Sequence, residues 1–384
     1  MTAPERRGGN GGNGIGHVLI TGGAGFVGSH LADELLAHGY QVRVLDVLAE
    51  QVHGEQPSWP DYLSGEVERR LGDVRDRDAV RDALDGVDAV FHLAAAVGVG
   101  QSMYEIEHYT DVNNRGTAVL LEALASAPVD RLVVASSMSV YGEGLYADAS
   151  GREIAPSERS PDALKRGDWE LHADGEALTP VPTHEGKTPA PTSVYALSKL
   201  DQEKLCLIVG RAYGIPTTAL RFFNIYGTRQ ALSNPYTGVL AIFASRYLNG
   251  KPPRIFEDGR QRRDFVHVSD VARACRLALE TPQSAGLAIN IGSGQASTIA
   301  DIAAEMAAAM GINDLAPEIT GRFRVGDIRH CFADISLARE ALGYEPQVSL
   351  AQGMSELVEW MQGQTALDRV DTAVAELARR GLQQ

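Results

Sequence analysis

The stretch that decides the fold is residues 17–28, His-Val-Leu-Ile-Thr-Gly-Gly-Ala-Gly-Phe-Val-Gly. Its first five residues are mostly apolar or β-branched, which predicts a buried strand over His17–Thr21. An amphipathic pattern from Phe26 to His38, ended by Gly39, predicts a helix. The stretch therefore predicts a strand, a glycine-rich turn and a helix in direct succession.

The glycine spacing of the turn indicates a dinucleotide site. Gly23, Gly25 and Gly28 fit G-x-G-x-x-G, and Gly22 forms the wider G-x-x-G-x-x-G spacing with the last two. One glycine permits the tight turn, one lets the backbone approach a pyrophosphate, and one lets the helix press on the sheet. The helix N-terminus offers free N–H groups to the phosphates. The expected cofactor contacts here are Gly22, Gly25, Phe26, Val27 and Gly28.

Asp46 ends the next predicted strand, Gln41–Asp46, at about the 20-residue spacing where a carboxylate binds a ribose 2′-OH. That carboxylate would repel a 2′-phosphate, and Val47 and Leu48 supply no arginine, so NAD is favoured over NADP. Asp73 follows a further short strand and has two open interpretations. It either accepts a hydrogen bond from the adenine amino group or caps a turn.

Further along the chain, short apolar strands are predicted over 89–94, 131–136 and 217–222, and helices over 116–126 and 194–213. Fully apolar strands alternating with helices are typical of a parallel sheet covered on both faces. The predicted fold class is therefore α/β, with a Rossmann-type doubly wound parallel sheet and a smaller C-terminal α/β substrate lobe. Helices of that lobe are predicted near 236–249, 269–281, 297–310 and 350–362.

The expected domain organisation has four parts. A flexible leader over 1–15 precedes an NAD-binding domain over 16–225, a substrate lobe over 226–362 with some chain exchange, and a helical tail over 363–384. Residues from about 143 to 190 are rich in Asp, Glu, Gly, Pro and Ala and lack periodicity. We interpret them as a long insertion, and as a candidate lid, without a core of its own.

Composition limits the partners. The 384 residues carry a formal charge of −15, which disfavours nucleic acid and anionic membrane surfaces as partners. An anionic ligand must then be held by a few placed cations and helix N-termini. Neither a membrane-spanning apolar stretch nor a secretory signal is recognisable. The three cysteines, Cys206, Cys275 and Cys331, are scattered and do not form a Cys-rich zinc motif, so no metal is expected. We expect them to be buried core residues of a protein in the reducing cytoplasm.

Tyr195 and Lys199 form Y-x-x-x-K at the start of a predicted helix, and the i, i+4 spacing puts both side chains on one face. A phenol has a pKa of about 10. A neighbouring ammonium and an oxidised nicotinamide favour the phenolate, so we expect Tyr195 to act as a base and Lys199 to contact the nicotinamide ribose as well. Ser137 lies at the C-terminal end of a predicted strand, where open α/β sheets bind ligands, and can hydrogen-bond the substrate hydroxyl.

Taken together, these motifs resemble the extended short-chain dehydrogenase/reductase family, in its NAD-dependent nucleotide-sugar epimerase/dehydratase branch. The resemblance covers roughly residues 16–362 apart from the insertion, and it runs in order through the segments 21–28, 72–74, 92–95, 113–117, 136–142, 195–199, 221–227, 263–268 and 324–327. It implies a catalytic triad of Ser137, Tyr195 and Lys199. It also implies a substrate set of Ser137, Ser139, Tyr195, Asn224, Arg263 and Arg324, with the last three on the diphosphate. Further cofactor contacts implied are Asp73, Val74, Leu93, Ala94, Ala95, Asn113, Tyr195, Lys199 and Phe222.

The resemblance also implies the reaction. Tyr195 removes the proton of the C4 hydroxyl while NAD⁺ takes the hydride, and the keto sugar then receives the hydride on its other face. The family's dehydratases carry Asp-Glu after the catalytic serine or threonine, where this chain has Met138 and Ser139, so 4-epimerisation is expected. Val97 replaces a lysine usual in galactose-type 4-epimerases. The segments 135–143 and 229–238 and the insertion are most similar to 4-epimerases of dTDP-L-rhamnose.

Several alternatives stay open at this point. They are a nucleotide-sugar dehydrogenase or 4-keto reductase, a 4,6-dehydratase, and a non-catalytic nucleotide sensor on the same fold. The nucleotide of the sugar substrate is dTDP, UDP or GDP. The helix from Tyr195 carries an apolar stripe at Leu200, Leu205, Val209 and Ala212, part of which must cover the sheet. The resemblance implies that this helix packs with its symmetry mate, so a homodimer is expected.

Overall fold

The computed structural model describes residues 14–55, 58–156, 158–234, 236, 238–324, 326–364 and 370–383. Its central element is a seven-stranded parallel sheet. The strands are β1 (His17–Thr21), β2 (Gln41–Asp46), β3 (Glu68–Leu71), β4 (Ala89–His92), β5 (Arg131–Ser137), β6 (Thr217–Phe222) and β7 (Ala288–Ile291).

The strand order across the sheet is β7-β6-β5-β4-β1-β2-β3. The chain builds outward from β1 to β3, then returns to the other side of β1 with β4, so the order reverses between β1 and β4. Ligands of open α/β sheets bind at the carboxyl ends of the strands at such a switch point. The glycine-rich turn follows β1 at this edge, and Ser137 ends β5 at the same edge.

The longer helices are α1 (Phe26–Ala37), α2 (Arg77–Leu84), α3 (Gly116–Ser126), α4 (Val194–Tyr213), α5 (Val239–Leu248), α6 (Val268–Glu280), α7 (Ile299–Ala309), α8 (Leu350–Met361) and α9 (Val370–Arg379). Alternate residues of each strand face opposite layers. Ile20 of β1 packs in the cluster with α1 and α6, whereas its neighbour Leu19 packs in the cluster with α2, α3 and α4. Both faces of the sheet are therefore covered, which confirms the doubly wound α/β prediction.

The C-terminal lobe has its own apolar cluster, formed by α5, α7 and α8 around buried Phe243, Met306 and Leu357. Its short strands pair as Asn224–Tyr226 with Phe265–His267, Arg254–Ile255 with Glu318–Ile319, and Arg262–Arg263 with Ser297–Thr298 and His330–Cys331. The strand β7 lies in this half of the chain yet joins the cofactor-domain sheet beside β6. This is the kind of chain exchange that was expected, whereas the domain limits stay a prediction.

The insertion over 143–190 contains more regular structure than its composition predicts. It includes the helix Pro161–Lys165 and the strands Leu145–Ala147, Glu153–Ile154, His172–Ala173, Glu176–Ala177 and Thr179–Val181. A small apolar cluster of Tyr146, Leu171 and Leu178 lies inside it. The insertion therefore packs on itself to a limited extent, although a role as a lid stays a prediction.

Buried ion pairs fasten the insertion to the C-terminal lobe. The fully buried Arg329 contacts Glu257 at 2.9 Å, Asp258 at 2.7 Å and Glu170 of the insertion at 2.6 Å. Arg159 of the insertion pairs with the same Glu257 at 2.8 Å. Because buried charges are costly unless they are paired, these contacts hold the insertion against the lobe.

At the chain ends, most of the predicted leader lies outside the described residues. Ile15, at its end, is buried in the core, so the ordered chain begins before residue 16. The helical tail is present as α9, which docks through Asp371 on Arg246 and Arg254. Short helices and helical turns complete the described structure: Glu50–His53, Val99–Ser102, Ile106–Tyr109, Thr110–Arg115, Met138–Tyr141, Pro282–Ser284 and Ser336–Leu342.

The three cysteines are free and buried, which confirms that they are core residues. Within the described ranges, no helix is both long and apolar enough to cross a membrane. The same ranges contain no cluster of three or more His, Cys, Asp or Glu side chains that could hold a metal ion.

Candidate active site

The glycine-rich turn is shaped by close backbone contacts. Gly22 has a φ of +73°, and a Cβ there would lie 2.9 Å from Ala94 Cα. A Cβ on Gly28 would lie 2.6 Å from Gly23 Cα, so α1 rests directly on the turn. At Gly25 a Cβ would meet only Gly22 O, at 3.4 Å. Packing therefore requires glycine at positions 22 and 28, whereas position 25 leaves open space at the N-terminus of α1 that fits a pyrophosphate.

Asp46 lies beside this turn and is 9% exposed. Its Oδ2 accepts a hydrogen bond from Ala24 N at 2.9 Å, and its Oδ1 accepts one from Leu48 N at 2.9 Å. Each carboxylate oxygen keeps a second lone pair, so Asp46 still fits as the acceptor for a ribose hydroxyl. The residues present at the turn therefore suit NAD.

Asp73 is engaged locally. Its Oδ1 accepts from Arg75 N at 2.8 Å, and the Arg75 guanidinium lies 2.5 Å from its Oδ2. The hydrogen bond from Arg75 holds the pKa of Asp73 below its ordinary value, against the opposing effect of burial. The turn-capping interpretation is thus observed, while an adenine contact stays a prediction.

Tyr195 lies in the first turn of α4, which begins at Ser193 because the Ser193 hydroxyl caps the N–H of Ala196. The backbone N–H of Tyr195 donates to Ser102 Oγ at 3.0 Å, and its ring meets Tyr109 edge-on, 6.5 Å between centroids. These contacts orient the phenol.

Ser137 and Ser139 complete this side of the site. Both are buried, and Ser139 Oγ donates to Ser137 Oγ at 2.8 Å. Burial raises the pKa of the Tyr195 phenol, and a hydrogen bond with Ser137 opposes that rise. The structure therefore brings Ser137, Ser139 and Tyr195 together.

We expected the charge of Lys199 to lower the pKa of Tyr195, and the structure does not show this. In this structure burial dominates the phenol, so that pKa is raised. Lys199 is 3% exposed, and its Nζ donates to Gln202 Oε1 at 2.7 Å. Burial lowers the pKa of Lys199 to about 8. The ammonium is thus held by an amide rather than by the phenol.

The amide of Gln202 connects Lys199 to the glycine-rich turn. Its Nε2 donates to Thr117 Oγ1 at 2.8 Å and lies 3.3 Å from His92 Nε2. On the other side of the ring, His92 Nδ1 lies 2.8 Å from the hydroxyl of Thr21, the last residue of β1. A continuous buried chain of hydrogen bonds therefore joins the helix of Tyr195 and Lys199 to the strand that carries the cofactor turn.

The remaining predicted cofactor residues surround this chain. Asn113 is fully buried and joins Ala96 N, at 2.7 Å, to Ser198 Oγ, at 2.9 Å. The segment after β4 crosses the turn, with Leu93 N donating to Thr21 O at 3.1 Å. Phe222 and Val74 are buried in the apolar core. Val27, at the start of α1, and Ala94, in the segment that crosses the turn, are partly buried against it. Phe26 and Ala95 are partly exposed near the same edge.

The two predicted diphosphate arginines converge on one carboxylate. Arg324 donates to Asp327 Oδ2 at 2.8 Å and covers the ring of Phe256, while Arg263 lies 3.9 Å from Asp327 Oδ1. The Arg263 guanidinium also donates to the carbonyl of Arg329 at 2.9 Å. A guanidinium fork suits a carboxylate or a phosphate, so the contact of these arginines with a diphosphate stays a prediction.

Asn224 reaches the same region through the backbone. Its Nδ2 donates to Asp264 O at 2.9 Å, next to Arg263 in the chain. The carboxylate of Asp264 is fully buried, and burial raises its pKa to about 6 despite hydrogen bonds from Ser293 and Gly294. The structure therefore places the three predicted diphosphate residues on neighbouring strands and loops.

Sequence reasoning missed three residues that organise the site, namely Gln202, Asp327 and Ser102. Gln202 had a signal, because it follows Lys199 by three positions on a helix and so lies on the same face. Asp327 is close to Arg324 in the chain, and its partnership with both arginines depends on the fold. Ser102 accepts a hydrogen bond from Tyr195 N although it lies 93 positions away in the chain, so no local pattern could reveal it.

Comparisons with known proteins identify the family. Residues 18–164 and 170–292 match the NAD dependent epimerase/dehydratase family. The dTDP-L-rhamnose 4-epimerase of Burkholderia thailandensis is 36% identical over 349 residues, covering 90% of this chain and 94% of that protein.

Solved structures give the same result. The UDP-glucose 4-epimerase of Thermotoga maritima, solved with UDP-glucose, has a TM-score of 0.74 at 31% identity, covering 90% of this chain and 98% of that chain. The Thermus thermophilus UDP-glucose 4-epimerase, solved with NAD, has a TM-score of 0.72 at 31% identity, covering 91% and 100%. The resemblance found in the motifs is thereby confirmed, and the chain belongs to the NAD dependent epimerase/dehydratase family.

Proposed function

We propose that this protein is an NAD-dependent nucleotide-sugar 4-epimerase with Ser137, Tyr195 and Lys199 as its catalytic residues. The observation that carries the proposal is the buried cluster in which Tyr195 meets Ser137 and Ser139 beside the glycine-rich turn. Positions 138 and 139 hold Met and Ser, which cannot supply the carboxylate chemistry of a dehydratase. Proton transfer is therefore confined to the phenol and the serine hydroxyls.

Tyr195 accepts the proton of the substrate C4 hydroxyl, and Ser137 holds that hydroxyl in line with the phenol. Lys199 stabilises the phenolate through its charge. NAD⁺ held at the glycine-rich turn and Asp46 would supply a reversible hydride acceptor for C4. On the return, Tyr195 gives its proton back to the C4 oxygen, so one acid/base group serves both directions. Asn224, Arg263 and Arg324 hold the diphosphate.

The experiment that tests this proposal is incubation of the purified protein with dTDP-, UDP- and GDP-linked sugars, followed by NMR of the sugar. We expect conversion to the C4 epimer at equilibrium, without lasting change in the absorbance of reduced nicotinamide. Sustained formation or consumption of NADH would instead identify a dehydrogenase or 4-keto reductase. A 4-keto-6-deoxy product would identify a 4,6-dehydratase, and unchanged sugars with bound NAD would favour a nucleotide sensor.

Within the panel, we propose a dTDP-6-deoxyhexose as the preferred substrate. Support comes from the 36% identity with the dTDP-L-rhamnose 4-epimerase of Burkholderia thailandensis over nearly all of both chains. The exposed Val97, in place of the lysine of galactose-type enzymes, also argues against UDP-galactose. Higher kcat/KM with UDP-glucose than with dTDP-L-rhamnose would overturn this assignment.

Asp46→Ala is expected to reduce the preference for NAD over NADP by about tenfold, because a charged acceptor for the ribose hydroxyl is lost together with its repulsion of a 2′-phosphate. NAD binding weakens as well, since Asp46 also holds Ala24 N. Titration of both nucleotides into the variant measures the ratio. Asp78→Ala on the surface of α2 is the control, and an unchanged ratio in Asp46→Ala removes Asp46 from this role.

We also propose that the protein is a homodimer through α4 and that it works in the cytoplasm. The predicted stripe of Leu200, Leu205 and Val209 packs against the sheet instead of facing a partner. The outer face of α4 exposes Leu197 by 51% and Ile208 by 61%, eleven residues or three turns apart. An apolar pair on one exposed face suits a symmetric helix contact.

Ile208→Asp is therefore expected to shift the protein from dimer to monomer, because it places a charge in the centre of the contact. Size-exclusion chromatography with light scattering measures the mass. Ile319→Asp, at a residue that is 49% exposed on the C-terminal lobe, is the control. A variant of unchanged mass, or a monomeric wild type, would contradict the proposal.

A further inference from the structure

Lys199 is a buried cation that is held by a neutral group. Buried ammonium groups are usually paired with a carboxylate, because burial of an unpaired charge is costly. Within the described part of the chain, Lys199 Nζ instead donates to the amide oxygen of Gln202, at 2.7 Å. The nearby carboxylate of Glu203 is occupied by Arg221, at 2.7 and 2.9 Å, and by Ser136 Oγ, at 2.7 Å.

The amide of Gln202 has only one workable orientation. An ammonium group has donors and no acceptor, so the oxygen of Gln202 must face Lys199. Its nitrogen then faces Thr117 Oγ1 and His92 Nε2, and the Thr117 hydroxyl donates a hydrogen bond to Asn113 O at 2.6 Å. Gln202 is fully buried, so water does not compete for these contacts. The side chain is therefore held at both ends.

We propose that Gln202 is a positioning residue, which fixes the Lys199 ammonium with a neutral acceptor and so leaves its positive charge available to a phenolate at Tyr195. This inference rests on the proposed role of Tyr195 as the base. One N–H of the ammonium is used by Gln202, which leaves two for the phenol side of the site and the ribose of the cofactor. A carboxylate at position 202 would offset the charge and weaken the stabilisation of a phenolate.

The other charged groups around Lys199 do not titrate with it. His92, from β4, is kept neutral because burial, with the charge of Lys199, lowers its pKa to about 3. Burial raises the pKa of the Cys206 thiol, on the same helix, to about 12. Burial opposes ionisation of Glu203, but the hydrogen bonds and charge of Arg221, with the hydrogen bond from Ser136, together hold its pKa below the ordinary value. Tyr195 and Lys199 are therefore the groups that determine the pH profile.

Two nearly isosteric substitutions at position 202 test the inference in opposite directions. Gln202→Glu compensates the charge of Lys199, so the pKa of Tyr195 rises and the acid limb of kcat moves up by about one pH unit. Gln202→Met removes the acceptor, so the pKa of Lys199 falls and activity is lost at a lower alkaline pH than in the wild type. Arg211→Met, at an exposed arginine near the end of the same helix, is the control and leaves both limbs unchanged.

A second measurement does not depend on turnover. Ultraviolet difference titration of the NAD-bound protein follows the tyrosinate that is absent from Tyr195→Phe. We expect its midpoint to move up by about one pH unit in Gln202→Glu. If both Gln202 variants lose activity equally with wild-type profiles and midpoints, Gln202 is only structural and the inference is wrong. Wild-type turnover of Tyr195→Phe would instead remove the proposed base itself. If Gln202→Glu does not fold, the inference is still tested by Gln202→Met, which should lose activity at a lower alkaline pH than the wild type.

Discussion

Tyr195→Phe is expected to lower kcat by about 10³-fold, because the phenol is the group that takes and returns the C4 proton. The substitution removes one oxygen and leaves the ring, which keeps its edge-on contact with Tyr109. Binding of NAD should therefore remain close to that of the wild type, since the glycine-rich turn and Asp46 are untouched. Turnover is measured by NMR of the sugar. Bound NAD is measured as the amount of NAD that the protein releases when it is denatured.

Tyr213→Phe, at the exposed C-terminal end of the same helix, is the matched control and should retain full turnover. Wild-type turnover in Tyr195→Phe would refute the mechanism. Loss of both NAD and turnover would show that the phenol hydroxyl supports the cofactor pocket and would leave the base unassigned.

Arg221→Met is expected to lower the free energy of unfolding by about 3–5 kcal/mol, because the buried carboxylate of Glu203 keeps as ion-pair partner the exposed Lys204, at 3.4 Å, and loses the buried one. Arg221 is 3% exposed and Glu203 is fully buried. The same guanidinium donates to Tyr141 OH at 2.8 Å and lies 4.9 Å over its ring. Denaturant unfolding followed by circular dichroism measures the change in midpoint.

The double variant Arg221→Met, Glu203→Met serves as the control, because it removes both charges together. It should recover a large part of the lost stability, since an apolar pair of similar volume replaces a buried ion pair. A single variant as stable as the wild type would mean that Glu203 becomes protonated or hydrated at little cost. A double variant that is less stable than Arg221→Met would show that the loss came from packing.

Local patterns were sufficient for the elements around the cofactor. The strand His17–Thr21 and the helix after it were predicted with an error of one residue at the helix end, and β2 was predicted at its observed limits. The predicted strand 89–94 is shorter, ending at His92. It ends there because the chain turns to cross the glycine-rich turn, where Leu93 N donates to Thr21 O. That contact joins residues far apart in sequence.

The insertion shows the opposite case. Its composition indicated a loop, because short strands of two or three residues leave no periodicity to detect. What orders it is a set of buried charges, including the pairs of Arg329 with Glu170 and of Arg159 with Glu257. These partners lie about one hundred residues or more from each other in the chain, so no local pattern could reveal them.

The sequence by itself determined the α/β class, the glycine-rich cofactor turn, the Asp46 acceptor and the Tyr195–Lys199 pair, because each depends on spacing within one strand, turn or helix. Only the tertiary structure decided how the Gln202 amide beside Lys199 is held, namely by Thr117 and the neutral ring of His92, which in turn meets the hydroxyl of Thr21. Burial shifts the pKa of a side chain and therefore changes the charge that it carries. The helix spacing places Gln202 beside Lys199, but the contacts that hold its amide are visible only when three distant segments meet in the fold.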